Sequence, residues 1–117
     1  MRDPSKLRAF QLADELALSI YRATKGFPRE EQFGLTAQMR RAGVSVPSNI
    51  VEGCARNTQA DYANFLGTAY GSASELLYQL SLAIRLGYLP EGEYRPLKTN
   101  CEETCKVLNG LVRSMRH

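Results

Sequence analysis

The run from Tyr62 to Gly87 most narrows what this chain can become. Tyr62, Phe65, Leu66, Ala69, Ala73, Leu76, Leu80, Ala83 and Gly87 recur mostly at intervals of three and four, which puts them on one face of a helix. Thr58 followed by Asp61 resembles a capping box at its start, and "LGYLP" closes it. At about 1.5 Å per residue, the roughly 29 residues involved rise some 43 Å. A stripe of that length needs other helices of comparable length to cover it.

The rest of the chain supplies them. No segment sustains period-two alternation, whereas three more show helical spacing. Residues 5–25 place Leu7, Phe10, Ala13, Ala17, Ile20 and Thr24 along one face, with Asp3 and Pro4 as start signals and "KGFP" as the stop. Residues 93–115 place Tyr94, Leu97, Cys101, Cys105, Leu108, Leu111 and Met115 together, with Pro96 in the opening turn. Connections of a few residues imply antiparallel neighbours. The expected fold is therefore all-α: one domain over residues 1–117, built as an antiparallel up-and-down four-helix bundle.

The second helix, expected over residues 29–56, must pass through "RRAGVSVPSNIVEGCAR". Leu35, Met39, Ala42, Val46, Asn49 or Ile50, and Gly53 carry its stripe straight through Pro47. An interior proline removes one hydrogen bond and drives its ring at the carbonyl four residues earlier, costing about 3 kcal/mol. That residue is Gly43, which adjusts with little steric penalty, and Ser45 and Ser48 offer hydroxyls to the freed groups. A helix kinked near Pro47 is expected. The rival arrangement breaks it at residues 45–48.

Composition excludes several classes. No apolar run approaches the roughly 18 residues of a membrane span, and "MRDPSKLRAF" lacks the pattern of a secretory signal, so a cytoplasmic protein is expected. Three cysteines do not suit a disulfide framework, and the gap between Cys101 and Cys105 does not match common zinc or redox motifs. They read as core-facing thiols. The net charge is +3, and all of the excess lies in residues 1–60, with nine Lys/Arg against six Asp/Glu. That bias suits nucleic acid or an acidic partner without reaching the basicity of a dedicated binder.

The segment "FPREEQFGLTAQMRRAGVSVPSNIVEGCAR", followed by "FLGTAYGSASELLYQL" and "LGYL", resembles the four-helix-bundle family of 23S rRNA intervening-sequence proteins. Phe27-Pro28, Gly34-Leu35, Gln38, Arg40-Arg41-Ala42, Ser45, Asn49, Glu52-Gly53, Arg56, Phe65-Leu66, Gly71-Ser72, Glu75 and Leu86-Gly87 carry the resemblance. Phe10, where the family often has tryptophan, and Gly43, where alanine is usual, depart from it. The resemblance implies a bacterial protein that assembles into a ring, a homopentamer, with no enzymatic activity. Some members are encoded within insertions in large-subunit rRNA genes. Distant relatives accompany the reverse transcriptases of diversity-generating retroelements, where a basic ring is thought to bind polymerase and nucleic acid.

Two groups of side chains are candidates for function. Arg40, Arg41 and Arg56, with Arg22, Lys25 and Arg29, form the expected basic patch, since arginine's planar fork suits phosphate. The competing reading makes them solvated charges or partners of Glu30, Glu31 and Glu52. Asn49, Glu52, Ser72 and Glu75 are expected to meet as a buried structural cluster that fixes helix register. A di-iron site would need Glu-x-x-His pairs, and the only histidine is His117, so neither metal nor cofactor is expected. Ala42, Gly43, Gly53, Ala55, Gly67, Ala69, Gly71 and Ala73 read as small residues for close helix approach, within or between subunits. Tyr62, Tyr70 and Tyr78 read as core or interface anchors before base-stacking platforms.

No nucleophile–base pair or phosphate-binding glycine loop appears, so an enzyme is not expected. The leading expectation is an oligomeric bundle that binds nucleic acid, RNA above all. The alternative is a protein-interaction scaffold that docks onto a polymerase or another protein.

Overall fold

The computed structural model describes residues 2–115, and the only regular elements among them are helical. They are α1 (Arg8–Thr24), α2 (Leu35–Cys54), α3 (Gln59–Arg85) and α4 (Glu91–Ser114), with 3₁₀ turns at Pro4–Lys6 and Arg29–Glu31. Each helix packs on its neighbours in sequence, and α4 returns to α1 to close the bundle. The antiparallel sense is visible in individual contacts. Arg40 bonds to Tyr21 of α1, Ser45 to Ser72 of α3, Cys101 to Ala73, and Asn100 of α4 to Leu12 of α1. The molecule measures 43 × 23 × 21 Å.

α2 runs unbroken through Pro47, so the rival break at residues 45–48 does not occur. The proline ring faces the Gly43 carbonyl, where no side chain adds to the crowding. α4 repeats the device. It begins at Glu91, earlier than the spacing predicts, which moves Pro96 out of the opening turn and places Gly92 four residues before it.

The helix starts differ from expectation for local reasons. α1 begins at Arg8 because Asp3 caps a separate 3₁₀ turn, accepting from Ser5 N–H at 3.0 Å, and Leu7 is extended. α2 begins at Leu35, six residues later than expected. Gly34, at φ −108 and ψ −117, leaves helical geometry, and the Glu31 carboxylate then reaches forward to accept from Leu35 N–H at 3.0 Å. That side chain serves as the cap that residue 34 lacks. α3 starts as expected, with Thr58 accepting from Asp61 N–H. It ends at Arg85, and just beyond it Gly87 (φ 78) turns the chain so that Tyr88 N–H reaches back to the Ala83 carbonyl in a Schellman closure.

The expected stripes of α2 and α3 are largely the buried ones, whereas in α4 the buried line is Leu97, Cys101, Thr104, Leu108 and Val112, with Tyr94, Cys105, Leu111 and Met115 at its flanks. In α1 the buried line is Ala9, Ala13, Leu16, Ile20 and Thr24, leaving Leu7, Phe10 and Ala17 at its flank. The core has two halves. Beside the α1–α2 and α3–α4 connections it is built of large side chains, among them Leu16, Ile20, Met39, Leu76 and Leu80. Towards the α2–α3 turn it is lined by Ala9, Ala13, Ala69 and Ala73 around Ile50 and Leu66. There the helices approach more closely: a Cβ on Gly53 would lie 2.9 Å from Phe65 Cβ and 3.2 Å from Tyr62. Gly67 and Gly71 play no such part inside this subunit, since nothing lies within 4 Å of where their Cβ atoms would be.

Candidate nucleic-acid interface

The six basic residues singled out from sequence do not form one patch. Arg40 and Arg41 are consecutive on α2 and therefore point to different faces. Arg41 turns to α3, binding Glu75 at 2.6 Å and the Gln38 side-chain oxygen at 3.1 Å. Arg56 is bound to Glu52 one helical turn back and lies over the Phe65 ring, 4.7 Å from its centroid. Arg22 is 3.7 Å from Glu15 in a depression that Glu93 also lines. Each of these three has a carboxylate beside it.

Lys25, Arg29 and Arg40 behave differently. Among the described residues none of them forms an ion pair, and all three line one depression of about 350 Å³. It sits where α1 ends and α2 begins, and its other walls are Thr24, Phe27, Pro28, Gln32 and Thr36. No acidic residue is among them. Arg40 is held in place by uncharged groups. Its Nε donates to Thr24 Oγ1 at 2.9 Å, one terminal nitrogen donates to the Tyr21 carbonyl at 3.3 Å, and the guanidinium rests on the Tyr21 ring at 4.7 Å. Thr24 can receive it because its own hydroxyl donates to the Ile20 carbonyl at 2.8 Å. The remaining guanidinium N–H groups stay available.

Two features of the surface were not legible beforehand, one of them at this corner. Thr36 is only 8% exposed, lines the depression, and its hydroxyl has no hydrogen-bond partner among the described residues. Its burial follows from the α2 stripe, but nothing local announces a bare hydroxyl. The second is Arg2, at the far end of the bundle. It lies over Tyr62 at 4.0 Å, donates to the Arg56 carbonyl, and shares a separate depression with Arg56. That site is about 24 Å along α2 from Arg40, and its lining of Arg2, Ala55, Arg56 and Asn57 also lacks a carboxylate, although Arg56 itself is bound to Glu52.

Asn49, Glu52, Ser72 and Glu75 do not gather into one buried cluster. Ser45 joins Asn49 to Ser72, with Ser45 Oγ 2.8 Å from Ser72 Oγ and 3.0 Å from Asn49 Nδ2. Glu75 sits one tier away, accepting from Arg41 and from Gln79. Glu52 is exposed and belongs to Arg56. Antiparallel packing spreads these groups along the α2–α3 seam as separate tiers, and both carboxylates keep contact with water. The expectation of one buried cluster is corrected accordingly. Many of the residues that carry the family resemblance, including Gln38, Arg41, Ser45, Asn49 and Phe65, lie in these tiers.

Glu31 and Tyr88 tie the two connections together at the basic end. The Tyr88 hydroxyl donates to Glu31 at 2.8 Å, and its ring meets Phe27. The bond from Leu35 N–H, then that from Tyr88, hold the Glu31 carboxyl below its ordinary range, while the same bond raises Tyr88. The thiols are perturbed as well. Burial pushes Cys54 up. The neighbouring Cys101 thiol lowers Cys105 to about 7, and Cys101 is raised by the same neighbour and by burial. Among the described residues no group of three or more His, Cys, Asp or Glu could hold a metal ion, and no helix is long and apolar enough to cross a membrane. His117 lies outside the described residues.

Fold and surface together define an all-helical bundle with a depression at the α1–α2 corner whose lining carries Lys25, Arg29 and Arg40 and no carboxylate. The chain belongs to the 23S rRNA-intervening sequence protein family, whose family model matches residues 5–110. A crystal structure of a protein of unknown function from the S23 ribosomal protein family of Bacteroides thetaiotaomicron is similar, with a TM-score of 0.81 and 26% identity. The match covers 90% of this chain and 95% of that one. No curated protein matches significantly.

Proposed function

We propose that this chain is a non-enzymatic, ring-forming bundle that binds structured RNA through the corner formed by Lys25, Arg29 and Arg40. The observation that supports it is the contrast among the six candidates: these three converge on one depression without a carboxylate, while Arg22, Arg41 and Arg56 are internally paired. An unpaired cation attracts phosphate at no cost of breaking an existing pair. Membership of a family named for 23S rRNA insertions is consistent with an RNA ligand. Ring assembly is supported by the outward side of α3, where Asn64, Gly67, Thr68, Gly71, Ser74 and Tyr78 present an uncharged strip. A ring would repeat each basic corner around its axis, so weak single contacts add as avidity. A homopentamer is the expected assembly, in the cytoplasm of a bacterium.

The test combines light scattering with RNA binding. An assembly larger than one chain is expected, together with affinity that falls steeply with salt and weakens for many sequences when Arg40 is replaced by alanine. Binding indifferent to salt and to Arg40→Ala would end this reading.

A protein-docking scaffold is the second reading. Phe33, 89% exposed beside the same corner, favours it, because a bare aromatic side chain is a common anchor for a protein partner. It predicts capture of a specific protein, a polymerase or another, that survives nuclease and moderate salt and is lost with Phe33→Ala.

A further inference from the structure

We propose that the depression bounded by Lys25, Arg29, Arg40 and Thr36 receives the terminal phosphate monoester of an RNA strand. This rests on the RNA-binding reading and sharpens it from backbone attraction to recognition of a strand end. The first argument is shape. The lining residues all fall between Thr24 and Arg40, so the cations surround one corner of the bundle. A strand threading past would need unpaired cations laid out in a row, but the neighbouring arginine on α2, Arg41, is committed to Glu75.

Charge is the second argument. A terminal monoester carries about −1.5 to −2 at pH 7 and three strong acceptor oxygens, more than an internal diester. Three cations from three different segments, with no acid among the walls, match the larger charge. The nearby Glu31 has its oxygens taken by Leu35 N–H and the Tyr88 hydroxyl and is not part of the lining.

Thr36 supplies the third. The residue is 8% exposed and lines the same depression, and its hydroxyl makes no hydrogen bond among the described residues, which leaves it free to donate to an acceptor seated there. Thr36 also lies in the first turn of α2, where backbone N–H groups lack intrahelical acceptors and favour an anion. Phe27 and Pro28 form an apolar wall that keeps bulk water from one side, strengthening each charge-assisted bond.

The experiment uses the full chain and one short RNA sequence in three versions: 5′-phosphorylated, 3′-phosphorylated and with hydroxyls at both ends. Fluorescence anisotropy at fixed ionic strength should show at least one phosphorylated version binding about tenfold tighter than the hydroxyl version. Thr36→Val, which keeps the branched shape, should shrink that preference. Equal affinity for all three versions, with salt-dependent binding intact, would overturn the strand-end assignment and leave the RNA reading standing. No binding of any version would remove both. A nucleoside monophosphate that binds as tightly as the phosphorylated strand would also overturn it, since the site would then recognise a free nucleotide.

Discussion

Both ends of the bundle carry arginines, and they use them in different ways. At the α2–α3 turn, Arg2 and Arg56 lie flat on Tyr62 and Phe65, and Arg56 is bound to Glu52. Those cations cover aromatic surface where α2 and α3 come closest. Beside the α1–α2 connection, Arg40 is braced by uncharged groups, and Lys25 and Arg29 have no acid in their depression. Available charge, as distinct from total charge, separates a closed structural end from one able to meet an anion.

The closeness of the helices at the structural end gives the largest expected effect. Gly53→Ala would force a Cβ into Phe65 and should cost about 1–2 kcal/mol net, after the ~1 kcal/mol that alanine's helix propensity returns. Gly71→Ala, facing open space, should instead stabilise an isolated subunit by about 0.5–1 kcal/mol. Denaturant melts of the pair check this. Equal shifts in the same direction would mean the seam near Gly53 is not tight.

A smaller effect is expected where a basic residue serves as a cross-helix tie. Arg41–Glu75 joins α2 to α3 but remains substantially exposed, with side-chain exposures of 56% and 41%. After screening by solvent, Arg41→Ala should lower stability by about 0.2–1 kcal/mol. A loss several times larger would show that the seam's polar tiers act as one network.

Acid should loosen the basic end through Glu31. Its folded carboxyl lies below the ordinary carboxylate range, so the stabilisation is present above that range and is lost as pH falls through the lowered folded value. Glu31→Gln should therefore lower the melting temperature at neutral pH and converge with the parent once the pH has fallen below the lowered folded value. A constant gap at every pH would assign the effect to packing. The mildest perturbation is alkylation. Cys105, held near 7 and only half-buried, should react with iodoacetamide first, its rate rising through about pH 7, while Cys54 and Cys101 react only on unfolding. Mass spectrometry of the labelled chain distinguishes the three sites.

The helices were legible because burial imposes a period that sequence displays directly. Even Pro47 could be read through, since Gly43 stands where its ring presses. The start of α2 could not, because it depends on the Gly34 backbone and on a Glu31 side chain held from the other connection by Tyr88. The basic candidates were legible as residues but not as a site. Arg41 and Glu75 are 34 positions apart, and which of two adjacent arginines meets an acid is settled only when α3 packs on α2. Thr36 shows the same limit: its place on the buried stripe is periodic, but its lack of a partner is a tertiary fact.

Salt-dependent RNA binding by two triple variants tests the division between available and committed charge most directly. Each single-strand phosphate contact contributes about 0.7 to the slope of log affinity against log salt. Lys25, Arg29 and Arg40 changed together to alanine should flatten the slope by about two. Arg22, Arg41 and Arg56 changed together should leave it nearly unchanged. The reverse outcome, or an equal loss in both, would contradict the assignment of the α1–α2 corner as the phosphate-facing surface.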